Sequence, residues 1–224
     1  MRSASKAPNS APADPPPDAR AIRRAARRAE NRADLLDAAE EVFGEHGVSD
    51  GSLRQIAQRA GFSPAAIYLF FDNKQDLLSE TLVRRGAELV ATLRDAALAE
   101  LPPIVRLHHM VDVAVAFFEA RPHFRRLLGH VNGGTAIVGP ALAHYTSDVG
   151  GYFTEAMAIV AGIIRDGQAA GEVRDGDPVA LGRLYSALIN EHVLLGGGGQ
   201  ADGRALTTAQ FHGLIDGALR NPRR

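Results

Sequence analysis

The stretch Ser52–Lys74, SLRQIAQRAGFSPAAIYLFFDNK, carries three helix-start signals with very little chain between them. Ser52 and Gln55 form an S-x-x-Q capping box, in which hydroxyl and amide each satisfy a free backbone N–H. Ile56, Ala57 and Ala60 give the following helix one apolar side, and Gly61 ends it because glycine takes a left-handed turn cheaply. A helix of about eight or nine residues is too short to stand alone. Ser63 caps the next helix, with Pro64 in its first turn, where a missing N–H costs nothing. AAIYLFF then offers Ile67, Phe70 and Phe71 to a core, and Asp72 or Asn73 caps a further helix through Leu77, Leu78 and Leu82.

Working outward, ADLLDAAEEVFGEHG places Leu35, Ala39, Val42 and Phe43 on one face at spacings of three and four, an amphipathic helix stopped by Gly47. Two short helices joined by a glycine-containing turn on a longer support read as helix-turn-helix. In that arrangement the second short helix enters the major groove of DNA while the first crosses the phosphate backbone. The interruptions then have a purpose, since one continuous helix cannot do both.

The residue types fit that docking. Ser63, Pro64, Ala65 and Ala66 are small enough for close approach, and alanine methyls can meet thymine methyls. Tyr68 offers a hydroxyl, and Leu69 points outward if Phe70 and Phe71 point in. Ser52 and Arg54 are placed for phosphates, and Lys74 opens a helix whose free N–H groups already favour an anion.

The order of these signals is similar to the DNA-binding domain of the TetR family of transcriptional regulators, over about residues 28–78. The resemblance implies an all-α protein: an N-terminal three-helix helix-turn-helix domain, then a larger C-terminal helical domain for effector binding and dimerisation. It implies a homodimer, usually a repressor, that leaves its operator when a small molecule binds. Matched position by position, it assigns DNA contacts to Ser52, Arg54, Ser63, Pro64, Ala65, Ala66, Tyr68, Leu69 and Lys74. Two positions depart from it. Gly is frequent where Ala65 stands, and His or Tyr where Phe70 stands, which makes Phe70 a core residue here.

Composition sets the remaining bounds. The chain has 224 residues, 46% hydrophobic and 23% charged, with a formal net charge of −1. A DNA binder with that balance must segregate its charge. It does so in RAIRRAARRAENR, residues 20–32, where six Arg stand against one Glu. This segment is expected to act as an arm running into the first helix and along the DNA, with Arg20, Arg23 or Arg24 in the minor groove and Arg23 and Arg24 taken as DNA contacts. Residues 1–19, rich in Pro and Ala, are expected to be disordered. No secretory signal and no membrane span are read, and Cys is absent, which excludes disulfides and cysteine zinc sites. A cytoplasmic, nucleoid-associated protein with no cofactor is expected.

The domains are placed at 33–75 for DNA binding and 76–224 for the rest, which reads as further helices broken at Pro102-Pro103, Arg121-Pro122, Gly133-Gly134 and Asp177-Pro178. A long helix is expected to start near Pro140. Two helices fall where the family pairs subunits, and Leu181, Leu184, Leu188, Phe211, Leu214 and Ile215 make their apolar faces. Two recognition helices about 34 Å apart are what a palindromic operator requires. The linker GGGGQADGR between them lacks a G-K-[ST] ending and is no phosphate loop. Polar groups inside apolar helices point to an effector pocket: His109, His130, Tyr145, Tyr152, Asn190 and His192, with the packing aromatic Phe117 beside them. No acidic cluster or basic clamp asks for a charged effector, so a mostly apolar small molecule is preferred. The alternatives are a regulator controlled by a protein partner, an activator, and a metal-dependent helical enzyme. His108, His109 and Asp112 permit a metal pair, but HHMVD lacks the H-E-x-x-H pattern, no catalytic residue is assigned, and no enzyme is expected.

Overall fold

A computed structural model describes residues 19–131, 147–196 and 206–222. Residues 1–18 of the tail expected at 1–19, the linker from 197 to 205, the Gly133-Gly134 break, the start near Pro140 and the candidate Tyr145 lie outside the described residues, and Ala19 already belongs to a helix. Among the described residues there are eight α-helices, one short 3₁₀ turn and no strand. We label the helices α1 (Ala19–Asp50), α2 (Leu53–Arg59), α3 (Lys74–Ala97), α4 (Pro103–Glu119), α5 (Pro122–Val131), α6 (Ser147–Ala169), α7 (Pro178–Leu194) and α8 (Thr208–Leu219). No described helix is long and apolar enough to cross a membrane.

The N-terminal head is built as its punctuation dictates. α1 breaks at Gly47, whose φ of 81° no side-chain-bearing residue adopts cheaply. The Ser52–Gln55 capping box forms in both directions. Gly61 turns the chain at φ 77°. Asn73, not Asp72, caps α3 through the Asp76 N–H. Leu35, Ala39, Val42, Phe43, Ile56, Ala57, Ile67, Phe71, Leu77 and Leu78 are all buried together.

Two expectations change here. The helix expected after Ser63 is a 3₁₀ turn, Ala66–Leu69. Phe71 N–H still reaches the Ile67 carbonyl at 3.1 Å, but the next cap follows at once and leaves no room for an α-helical run. The Arg-rich segment is no separate arm, because α1 is already helical from Ala19.

α3 begins in the head and continues into the larger unit, so the boundary placed at 75 falls in its first turn. α4 is the central helix, packed against α3, α5, α6, α7 and α8. Its N-terminus has no side-chain cap of its own; Glu172, from the turn after α6, accepts the Ile104 N–H at 3.1 Å. The C-terminal end is tied to the same turn by Arg174 N–H to Leu219 O and Asn221 N–H to Glu172 O, both 2.8 Å. Asp177 and Thr207 cap α7 and α8.

Candidate nucleic-acid interface

The turn that follows Gly61 projects its side chains away from the head. Ser63 Oγ accepts the Ala66 N–H at 3.3 Å and closes the turn, although the 3₁₀ segment that follows has Ala65 as its N-cap and no side-chain cap of its own. Ser63, Pro64 and Ala65 are exposed, and Ala66 is half-buried. Tyr68 is 61% exposed and Leu69 70%, while Ile67 before them and Phe71 after them are sealed. Two large apolar side chains facing out beside a capped turn make a protruding contact surface rather than a core. Phe70 is half-buried, edge-on to Phe62.

The cations nearest this turn are spent on holding it. Arg28 donates to Leu69 O at 3.1 Å. Arg32 donates to Phe70 O at 2.7 Å, pairs through both forks with Glu80 of α3, and lies over the Phe71 ring at 4.5 Å. Lys74 Nζ donates to three carbonyls, Val48 at 2.8 Å, Ser49 at 3.1 Å and Gly51 at 3.1 Å. An ammonium has three protons, so the phosphate contact expected of Lys74 would compete with the clamp on the α1–α2 connection. The Ser52 hydroxyl is likewise engaged with Gln55. Arg54 is exposed in the first turn of α2. Arg59 bridges to Glu41 and Glu45 of α1, and its hydrogen bond holds the Glu45 carboxyl below the usual range.

Behind the head, α3, α4, α5, α6 and α7 enclose a cavity of about 140 Å³. A water needs only about 10–15 Å³ on a comparable measure. Leu89, Val90, Leu93, Met110, Phe118, Phe124, Phe153 and Met157 contribute to its wall, and among the described residues no charged side chain lines it. The polar lining consists of Tyr152, Tyr185, Ser186 and Asn190. Tyr185 donates to Leu107 O at 2.6 Å, and burial pushes its phenol well above the usual value.

Residues 35–81 match the profile of bacterial regulatory proteins of the tetR family. The DNA-binding head is thus a tetR-family regulatory domain. The chain is 25% identical over 154 residues to the fatty acid metabolism regulator protein of Bacillus subtilis (strain 168), covering 66% of this chain and 74% of that protein. Its fold is shared with the regulator FadR from Bacillus subtilis in complex with stearoyl-CoA (TM-score 0.68, 18% identity, 84% of this chain, 97% of that one). A transcriptional regulator from Saccharomonospora viridis in complex with choline is similar in the same way (TM-score 0.68, 20% identity, 86% and 98%).

The candidates expected of a TetR-family chain separate in space. Tyr152 and Asn190 reach the cavity; His109 and Phe117 do not line it. Phe117 sits one layer out, against Phe118 and Phe124 with ring centroids at 5.4 and 6.4 Å. His130 is exposed beside Gly47 at the join between α5 and α1. His192 is buried and stacked on Phe211 at 4.1 Å, with no partner for Nε2 among the described residues, and burial lowers its pKa.

The apolar face expected to pair subunits splits in two. Phe211 and Ile215 are sealed in this chain's own core, at 2% and 0% exposure, because they point at α4 and α7. Leu184 and Leu214 face outward, with Leu181 and Leu188 half-buried. His108 and Asp112, the candidate metal pair, turn to α8 instead. His108 Nε2 lies 2.9 Å from Asp216, and His212 Nε2 lies 2.9 Å from Asp112, too poorly aligned for a hydrogen bond. The two rings stack at 4.5 Å. Among the described residues no group of three or more His, Cys, Asp or Glu could hold a metal ion.

Sequence reading missed the joint between the two units of this TetR-family fold. A Cβ on Gly44 of α1 would lie 2.4 Å from His123 O of α5. Arg85 of α3 holds Glu40 of α1 at 2.5 Å and Glu88 at 2.9 Å. Glu88 in turn meets Arg121, whose guanidinium lies 4.0 Å over the Phe117 ring. The G-E-H-G spacing in α1 hinted at close helix approach; the partners of Glu40 could not be read without the fold.

Proposed function

We propose that this DNA-binding regulator is a homodimeric repressor, released from a palindromic operator when a small, mostly apolar effector fills the cavity. The observation that carries the reading is the shared wall: Phe124 and Leu128 of α5 line the cavity, and the His123 backbone of the same helix presses on Gly44 of the DNA-binding head. An occupant that displaces α5 therefore acts on α1 directly.

On this reading Ser63, Pro64, Ala65, Ala66, Tyr68 and Leu69 face base edges. Ser52, Arg54, Arg23 and Arg24 serve phosphates. Lys74 contributes by fixing the loop between α1 and α2. Leu184 and Leu214, flanked by Leu181 and Leu188, form the pairing surface. The uncharged lining favours a neutral apolar molecule or an acyl tail, with Tyr152, Ser186 and Asn190 available to a polar end. Choline, held by one structural neighbour, would find aromatic rings here but, among the described residues, no carboxylate.

The test begins with recovery of bound genomic fragments, which yields the operator and its half-site spacing. Anisotropy of a labelled operator is then followed while stearoyl-CoA, stearate, choline and long-chain alcohols are titrated. Release by apolar chains and not by choline supports the reading. An operator grip unchanged by every apolar compound, with a cavity that takes none of them up, would refute the effector part.

A further inference from the structure

The segment from Ala19 to Glu30 is a helix that stands largely in solvent, touching the head through Arg28 at its lower end. Every side chain from Ile22 to Glu30 is exposed, whereas Leu35, one turn further on, is fully buried. The family match begins at residue 35, so this extension lies outside the shared head. Alanine and arginine are among the strongest helix formers, and an existing helix extends without a new nucleation step.

Its arginines fall on one side. Arg20, Arg23, Arg24 and Arg27 lie within about 100° of one another at the helical repeat, and Ala25, Ala26 and Ala29 with Ile22 lie opposite. The row Arg24, Arg28, Arg32 continues down the helix at steps of four, and its lower members grip Leu69 O and Phe70 O of the recognition turn. The surface that carries Tyr68 and Leu69 therefore passes directly into the Arg face.

Resting on the DNA-binding reading above, we propose that residues 19–30 form a rigid helical rail that lays its Arg face along the phosphate backbone beside the half-site. Size decides against a minor-groove arm. A helix with its side chains is about 10–12 Å across, and the minor groove is about 6 Å wide. From Ala19 to Arg28 the axis runs about 14 Å at 1.5 Å per residue. That is about four base-pair rises of 3.4 Å. With Glu30 the single acid among residues 19–32, the rail is locally strongly cationic in a chain of net charge −1.

The full chain is compared with three variants on operator and on unrelated duplex, after circular dichroism shows the core folded. Arg20, Arg23, Arg24 and Arg27 all changed to Gln, the same four changed to Lys, and Ala25→Pro are measured between 50 and 200 mM salt. Each lost phosphate contact removes about 0.9 from the slope of log affinity against log salt. The Gln variant is expected to lose up to roughly 150-fold less affinity over that range than wild type, equally on both duplexes. The Lys variant keeps the slope. Ala25→Pro retains every charge but breaks the helix, and is expected to behave like the Gln variant. A wild-type slope in Ala25→Pro beside a reduced one in the Gln variant would establish a flexible arm and overturn the rail. An unchanged Gln variant would remove the segment from the interface, and loss of its binding to anionic phospholipid vesicles alone would reassign the stripe to a membrane surface. A wild-type protein that binds no duplex at all would sink the DNA-binding reading itself.

Discussion

Gly44→Ala tests whether α5 bears on the DNA-binding head as closely as the structure requires. In an unconstrained helix interior the change is favourable by about 1 kcal/mol, since glycine gives up more backbone freedom than alanine. Here the new methyl carbon would sit 2.4 Å from the His123 carbonyl oxygen and 3.0 Å from its Cα, where ordinary contact begins at 3.4 Å. The atom in the way is backbone, so no rotamer can yield, and α5 or α1 must move by about 1 Å. Overpacking of that kind costs about 1–3 kcal/mol. The balance is a loss of up to about 2 kcal/mol, and for a chain of this size about 2–4 °C of Tm per kcal/mol. A thermal melt followed by circular dichroism reads the loss. Operator anisotropy without effector reads the consequence, because displacing α5 from α1 imitates an occupied cavity and should weaken binding. A Tm raised by about 1 kcal/mol equivalent, with operator affinity intact, would refute the close contact and the coupling argued from it.

Gly213→Ala and Gly217→Ala on α8 offer the opposite case, since a Cβ at either meets nothing within 4 Å. Each should stabilise an isolated subunit by about 1 kcal/mol, yet weaken dimerisation in sedimentation if α8 presses on a partner; tighter association would remove these glycines from the pairing face. Lys74→Met leaves the carbonyls of Val48, Ser49 and Gly51 without their shared donor. A loss of about 2 kcal/mol is expected, with faster amide exchange in the α1–α2 connection; unaltered exchange there would dispose of the clamp. His192 holds its proton less readily when folded than at its ordinary value of 6.5, because it is buried and faces His212. Its neutral form thus adds stability above about pH 6.5 that fades as acid protonates the unfolded chain in preference. His192→Phe keeps the stack on Phe211 and should flatten the fall in Tm between pH 7.5 and 5.5; an equal fall in both proteins would show that the acid sensitivity arises elsewhere.

The head was legible because its signals are local. Caps at Ser52 and Asn73, the Ser63 turn and the turn at Gly61 act over three or four residues, and each formed in place. What escaped was decided at long range. Arg28 and Arg32 read as part of the Arg-rich arm, but the fold brings the recognition turn to within hydrogen-bond reach of them, 41 and 38 residues along the chain. Lys74 reads as a phosphate ligand because its helix terminus favours anions, and its three carbonyl partners could not be seen without the fold. In α8, helical periodicity marks Phe211, Leu214 and Ile215 as one apolar set. Only the position of α4 tells which of them face inward. Pocket residues were the least legible, since a polar group in an apolar helix can serve a cavity, as Asn190 does, or a helix junction, as His108 does.

Two connections join cavity and head, and they differ in how they can respond. The first is α5 itself, where packing is so tight at Gly44 that a displacement cannot be absorbed. The second is polar: Phe118 and Phe124 wall the cavity, Phe117 lies against both, Arg121 lies on Phe117, and Glu88 and Arg85 lead from there to Glu40 in α1. Glu40 is 8% exposed at its side chain and Arg85 16%, so parting them leaves charge with little water to compensate. That pair resists separation, while the Arg121 end, at 29% exposure, can rehydrate. Movement of the aromatic wall would therefore loosen the chain at Arg121 first and leave α1 anchored to α3 through Glu40. The head would then swing with α3 as one body rather than come apart, which is what release of DNA by an intact protein requires.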